Sequence, residues 1–352
     1  MSRRSLAGSL SITTGDHTVG VSVGPIHAIT TVLVVAAIAS GALALSVSGG
    51  GAKVAAGGAT PGGSLVATPL VESGQADPAQ SQDLSGVGSE SGFDGPTLAP
   101  NETDSDGDLL SDEAERRLGT DPADPDTDGD GIPDGLEVHD EERYPDADPL
   151  EQDLYVEVDA TGENRISAGT IARIETTFTD APVDNPDGDQ GIDAHVIVDD
   201  RNLSANGTVY SRNRTGARND IYDFRDSEFD ARGSGYYYVL LTDDVAYNGD
   251  ATYVGAGRPG VVAMQTFESP HLTASLFMHE LGHAFGMDAG AEGIDEETYS
   301  AQRYDSVMNY NGLYSQLTYS DGSDELGRDE WAYVATDRYR PPLALANAAS
   351  SE

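Results

Sequence analysis

The chain contains no cysteine. That excludes a disulfide framework, thiolate zinc sites, iron–sulfur clusters, a cysteine nucleophile and a lipidated-cysteine anchor. Basic side chains are scarce. Against 61 Asp and Glu stand 19 Lys and Arg, giving a formal net charge of -42 over 352 residues. Binding a nucleic-acid backbone needs Lys and Arg, so no nucleic-acid partner is expected. Lys53 is the sole lysine. The hydrophobic fraction is 38% and there are 41 glycines, enough to build a core in part of the chain but not along all of it.

Such an excess of acid with almost no lysine resembles proteins of extreme halophiles. In these, salt screens the self-repulsion of an acidic surface. The other reading is an acidic, partly disordered secreted protein. Apolar runs at 236–241 and 260–264 favour a folded second half.

Arg3 and Arg4 precede a stretch, 17–52, that lacks Asp, Glu, Lys and Arg. After an N-terminal segment (1–25), the most apolar part, 26–47, is long enough to span a bilayer. The two arginines favour a cytoplasmic N-terminus, with the remainder outside. A cleaved signal sequence is the rival, with Ala42-Leu43-Ala44 as a small-residue cleavage site. The expected location is the cell surface, anchored through this segment, or secretion. Residues 48–103 are rich in Gly, Ser, Ala, Pro and Thr and read as a disordered linker; 341–352 reads as a disordered tail.

Residues 104–140 repeat themselves with a 22-residue offset. The second copy places Asp126, Asp128, Asp130, Asp134 and Glu137 at loop positions 1, 3, 5, 9 and 12, with Gly131 at position 6. Calcium takes six to eight oxygens, and the backbone carbonyl of Ile132 adds one at position 7. The first copy supplies Asp104, Asp106, Asp108, Asp112 and Glu115, but carries Leu109 where glycine is preferred. An acidic solvated linker is the plainer reading. With Gly119-Thr120-Asp121-Pro122 between the copies, the segment resembles thrombospondin type 3 repeats of microbial surface proteins. That resemblance implies bound calcium and a stiffened stalk.

The sequence His279-Glu280-Leu281-Gly282-His283 is an H-E-x-x-H motif. Residues four apart share a helix face, so both imidazoles can reach one zinc ion, with Glu280 placed to take a proton from water. Ser269-Pro270 can open the helix and Gly286 can end it. With Gly286 in the motif's glycine position and Ser306-Val307-Met308-Asn309-Tyr310 similar to a Met-turn, the chain resembles the metzincin zinc metallopeptidases. The resemblance implies a third ligand ten residues after His279. Ala289 stands there and cannot bind metal. A zinc site needs three protein ligands and an open position, so Asp288 or Asp295 is expected to supply the third. The resemblance also implies that Tyr310 assists zinc or the oxyanion; packing beside the turn is its other reading.

The fold expected over 152–340 is α+β, a zincin-like domain with a mixed sheet and an active-site helix. Leu154, Val156 and Val158 alternate as in a half-buried strand, and Ile171, Ile174 and Phe178 have helical spacing. Residues 185–188 read as a turn, and 194–198, 236–241 and 260–266 as strands. Trp331 reads as a core anchor of the last helix. The expected function is zinc-dependent hydrolysis of a peptide or protein substrate, beside calcium-binding repeats. Its rival is a calcium-stabilised surface or adhesion protein whose zincin-like domain is inactive.

Overall fold

The computed structural model describes residues 8–14, 17–23, 82, 84, 98, 102–205, 208–211, 219–246, 252–288 and 290–344. The chain divides into two units, 1–71 and 72–352. In the first, strands β1 (Gly8–Thr14) and β2 (His17–Val23) pair as an antiparallel hairpin. The expected membrane segment at 26–47 lies outside the described residues. Among the described residues no helix is long and apolar enough to cross a membrane.

The second unit is α+β, as expected, and its five-stranded sheet is mixed. It opens with two short helices, α1 (Asp112–Leu118) and α2 (Asp134–His139), 22 residues apart like the loops that precede them. Strand β3 (Asp153–Ala160) follows, then α3 (Ala168–Thr179) and β4 (Asp193–Val198). Next come β5 (Val209–Tyr210), α4 (Ile221–Ser227) and β6 (Tyr237–Leu241). Strands β7 (Val245–Ala246) and β8 (Thr252–Tyr253) form a small sheet with β5. The chain then runs through β9 (Gly255–Arg258), β10 (Val261–Met264), α5 (Pro270–Ala284) and α6 (Glu330–Thr336). The main sheet has the order β4-β3-β6-β10-β9, parallel except for β9, which runs antiparallel at the edge.

Alternation along the strands divides the core. Leu154, Val156 and Val158 of β3 and Tyr237, Val239 and Leu241 of β6 face one side, where Ile174 and Phe178 of α3 and Leu276 and Phe277 of α5 cover them. On the other side Tyr238 and Leu240 meet Ile221 and Phe224 of α4, while Tyr155 and Tyr236 meet Ile132 and Leu136 of the repeat. The sheet is thus covered on both faces, and β3 is buried along its whole length rather than half-buried. Its polar positions survive burial because they are bonded. Glu157 accepts from the backbone N–H groups of Asp230 and Ala231, and Asp159 from Asp200 N–H and Tyr238 O–H.

Described residues inside the expected linker and tail also make contacts. Within the expected linker, Gln82 N–H donates to Val198 O and Leu84 is buried against the repeat-side core, so these two residues are packed. Within the expected tail, Ala344 N–H donates to Gly233 O and Leu343 bridges Ser234. Leu84 finds an apolar partner that its polar sequence neighbourhood does not reveal, and Leu343 packs against the same core. Trp331 is buried as expected, its indole N–H donating to Thr318 Oγ1 at 3.1 Å.

Candidate metal centres

Helix α5 begins where the sequence indicates. The Ser269 side chain accepts from Leu272 N–H, Pro270 occupies the first turn, and the helix is buried from Thr273 to Gly282. It ends at Gly286, whose φ of 100° lets the chain turn back. A Cβ there would lie 2.9 Å from the Tyr333 hydroxyl.

Each motif histidine is fixed through Nδ1. His279 Nδ1 lies 2.8 Å from Val307 O and His283 Nδ1 lies 2.9 Å from Met287 O. A carbonyl only accepts, so both Nδ1 atoms carry a proton and both Nε2 atoms face inward, where each can hold a second proton or, in the neutral ring, offer a lone pair to a metal. Asp295 meets them: its Oδ1 is 3.2 Å from His279 Nε2 and 3.3 Å from His283 Nε2. Asp288 does not take part. It is exposed and accepts from Gly290 N–H. Asp295 arrives through backbone pairing with the segment below the helix. Its N–H donates to Met308 O, and Tyr310 N–H donates to Glu296 O. Asp295 itself takes a left-handed φ of 57°, which Asp tolerates better than most residues. Burial opposes its charge, but bonds to His279 and His283 outweigh that and hold its carboxyl well below the usual range.

Glu280 is buried beside this group, and burial raises its pKa. Room for it comes from β9. A Cβ on Gly255 would lie 2.4 Å from Glu280 Oε1, and one on Gly257 would lie 2.1 Å from the Glu280 carbonyl oxygen. Sequence reasoning missed both glycines, because Gly-Ala-Gly-Arg carries no strand alternation. Gly282, inside the motif, admits Met308, whose Sδ would be 2.4 Å from a Cβ there. Met308 is fully buried under the helix and forms an apolar floor there. Glu330 holds this floor: it accepts from the Tyr304 and Ser306 hydroxyls and from Ser320 N–H. Nothing in the spacing of the sequence marks Glu330. Tyr310 is half-exposed, with its ring stacked 5.8 Å from that of His279.

The repeats gather carboxylates at two places. Asp104, Asp106 and Asp108 form one group, and Asp126, Asp128 and Asp130 the other. Glu115 and Glu137 are buried with neither oxygen hydrogen-bonded, and Asp126 Oδ1 and Asp128 Oδ2 are also unpartnered. Such groups are costly unless a cation meets them. Burial, aided by Asp106 and Asp108, pushes Glu115 up to about 7, and burial likewise raises Asp128 and Glu137. The two position-9 residues differ. Asp112 keeps Oδ1 free, whereas both Asp134 oxygens accept from Thr127, from its N–H and its hydroxyl. Gly131 has the left-handed φ its position demands (106°), and Leu109 adopts it too (80°) at a cost of roughly 1–2 kcal/mol.

Compared with curated proteins, the chain matches none. Residues 104–125 and 126–140 each match the bacterial TSP3 repeat, so the paired loops are calcium-binding repeats of that kind.

Proposed function

We propose that the chain is a zinc-dependent endopeptidase acting on protein or peptide substrates outside the cell, anchored or secreted, with calcium repeats supporting its domain. The observation that carries this is the convergence of His279 Nε2, His283 Nε2 and Asp295 Oδ1 beside the Glu280 carboxylate. Tetrahedral zinc with ligands at about 2.0–2.1 Å sets its ligand atoms about 3.3 Å apart. The separations of 3.2 and 3.3 Å fit that geometry. With both imidazoles neutral at Nε2, the two nitrogens and the carboxylate oxygen repel one another unless a cation lies between them.

A zinc ion held by these three residues supplies Lewis acidity towards a carbonyl and acidifies water. Glu280 takes the proton of the attacking water and hands it to the leaving amine. Tyr310 donates a hydrogen bond to the oxyanion as it forms. Strand β9, antiparallel at the sheet edge and packed on α5 through Gly255 and Gly257, offers its outer backbone to an extended substrate.

The test is hydrolysis of an unfolded protein in high salt with calcium and zinc, comparing wild type with Glu280→Gln. The variant should bind zinc stoichiometrically and lose at least about 100-fold in kcat/KM. Undiminished hydrolysis by that variant sinks the mechanism. A wild type that holds zinc and cleaves nothing favours the inactive surface-protein reading.

A further inference from the structure

In the second calcium loop the position-9 carboxylate is engaged elsewhere, which leaves six oxygens, the low end of calcium's range, when Glu137 binds through both of its own. Calcium takes six to eight oxygens. Asp126, Asp128, Asp130, the Ile132 carbonyl and Glu137 are available, but Asp134 at position 9 has turned both oxygens to Thr127. Another carboxylate stands near. Oxygens of Asp130, Glu137 and Asp153 lie within 4.8 Å of one another, and all three residues are buried. Asp153 is the first residue of β3 and lies outside the matched repeats.

We propose that Asp153 is a ligand of the calcium ion of the second repeat, so that one ion joins the repeat to the main sheet. Glu137 points to the ion independently: it is 4% exposed and neither of its oxygens has a hydrogen-bond partner. The backbone holds Asp153 in place. Its N–H donates to Asp130 Oδ2 at 2.8 Å, and the neighbouring Gln152 Nε2 donates to Asp128 O at 3.1 Å. His195 Nε2 lies 2.7 Å from Asp153 Oδ1, and Asp148 N–H donates to Oδ2 at 3.2 Å. Each oxygen therefore meets one partner and keeps a lone pair for a cation. The nearby arginines donate to backbone carbonyls and to Gln152 Oε1, and no ion pair joins them to these carboxylates among the described residues. Arg338 donates to the carbonyls of Asp130 and Asp153, and Arg340 to those of Asp130 and Gly129. They fix the loop against the sheet and leave the carboxylates to the ion.

The inference rests on calcium binding by the repeats, not on hydrolysis, so its test reads calcium and exchange alone. Calcium-free full-length protein in high salt is titrated with calcium by equilibrium dialysis. Asp153→Asn should weaken one site at least about tenfold and leave the other unchanged. Asp193→Asn, which alters an exposed neighbour of the same histidine, should change neither. Affinities of Asp153→Asn within about twofold of wild type overturn the proposal. Hydrogen exchange of the wild type needs no variant. A calcium chelator should release amides of β3 together with those of the second loop. Release confined to 104–140, with β3 unchanged, overturns it equally.

Discussion

At the scale of single residues, the site depends on which side chain reaches the histidines and which is kept away. Asp295 Oδ1 stands beside the Nε2 atoms of both, and Asp288 faces solvent. Asp295→Asn keeps the shape and tolerates the left-handed backbone, but removes the charge. The full-length variant should lose stoichiometric zinc by metal analysis, while Asp288→Ala should retain it. The opposite pattern would return the ligand to the position next to Ala289. Gly255 is the other decisive residue, because a methyl there meets the Glu280 carboxylate at 2.4 Å. Gly255→Ala should displace the base without touching the metal ligands. Zinc should stay bound while kcat/KM falls about 100-fold. Full activity would mean that Glu280 has another place to act from.

At the scale of elements, helix α5 was legible and its surroundings were not. Ser269, Pro270, the two histidines and Gly286 are local signals, each read within a turn of where it acts. The strands at β4, β6 and β10 were equally plain from their apolar runs. The carboxylate that meets the histidines was not, because Asp295 is placed by pairing with Met308 O, a contact across the chain that spacing from His279 does not encode. Strand β9 escaped notice because packing against α5 demands glycine, and glycine erases the alternation that marks a strand. Glu330 escaped because its partners, Tyr304, Ser306 and Ser320, come from another segment. It ties α6 to the turn carrying Met308. Glu330→Ala leaves three buried donors without an acceptor, each costing roughly 1–3 kcal/mol. A drop of at least about 3 kcal/mol in unfolding free energy is expected from denaturant melts. A loss below about 1 kcal/mol would show that water replaces the carboxylate and that the clamp is dispensable.

At the scale of the molecule, the charge of -42 acts in two ways that can be separated. Most carboxylates lie on the surface, where their repulsion falls as the screening length drops from about 10 Å at 0.1 M salt to about 3 Å at 1 M. The melting temperature should therefore climb with potassium chloride. The carboxylates of the two loops belong to a different regime. Asp108, Glu115, Asp128, Asp130 and Glu137 are buried, so a diffuse ion atmosphere screens them poorly and only an ion bound among them removes their cost. A calcium chelator should then lower the melting temperature by several degrees at high salt as well as at low salt. The check is a set of circular-dichroism melts over a range of potassium chloride, each with calcium and with chelator. If the two series converge as salt rises, monovalent screening suffices and the loops do not hold their ions as the buried geometry requires. If they stay apart, the acid content divides into a screened surface and a metal-bound interior. The apolar contacts of Ile132 and Leu136 with Tyr155 and Tyr236 would then transmit calcium occupancy from the repeats to the sheet whose far edge carries β9.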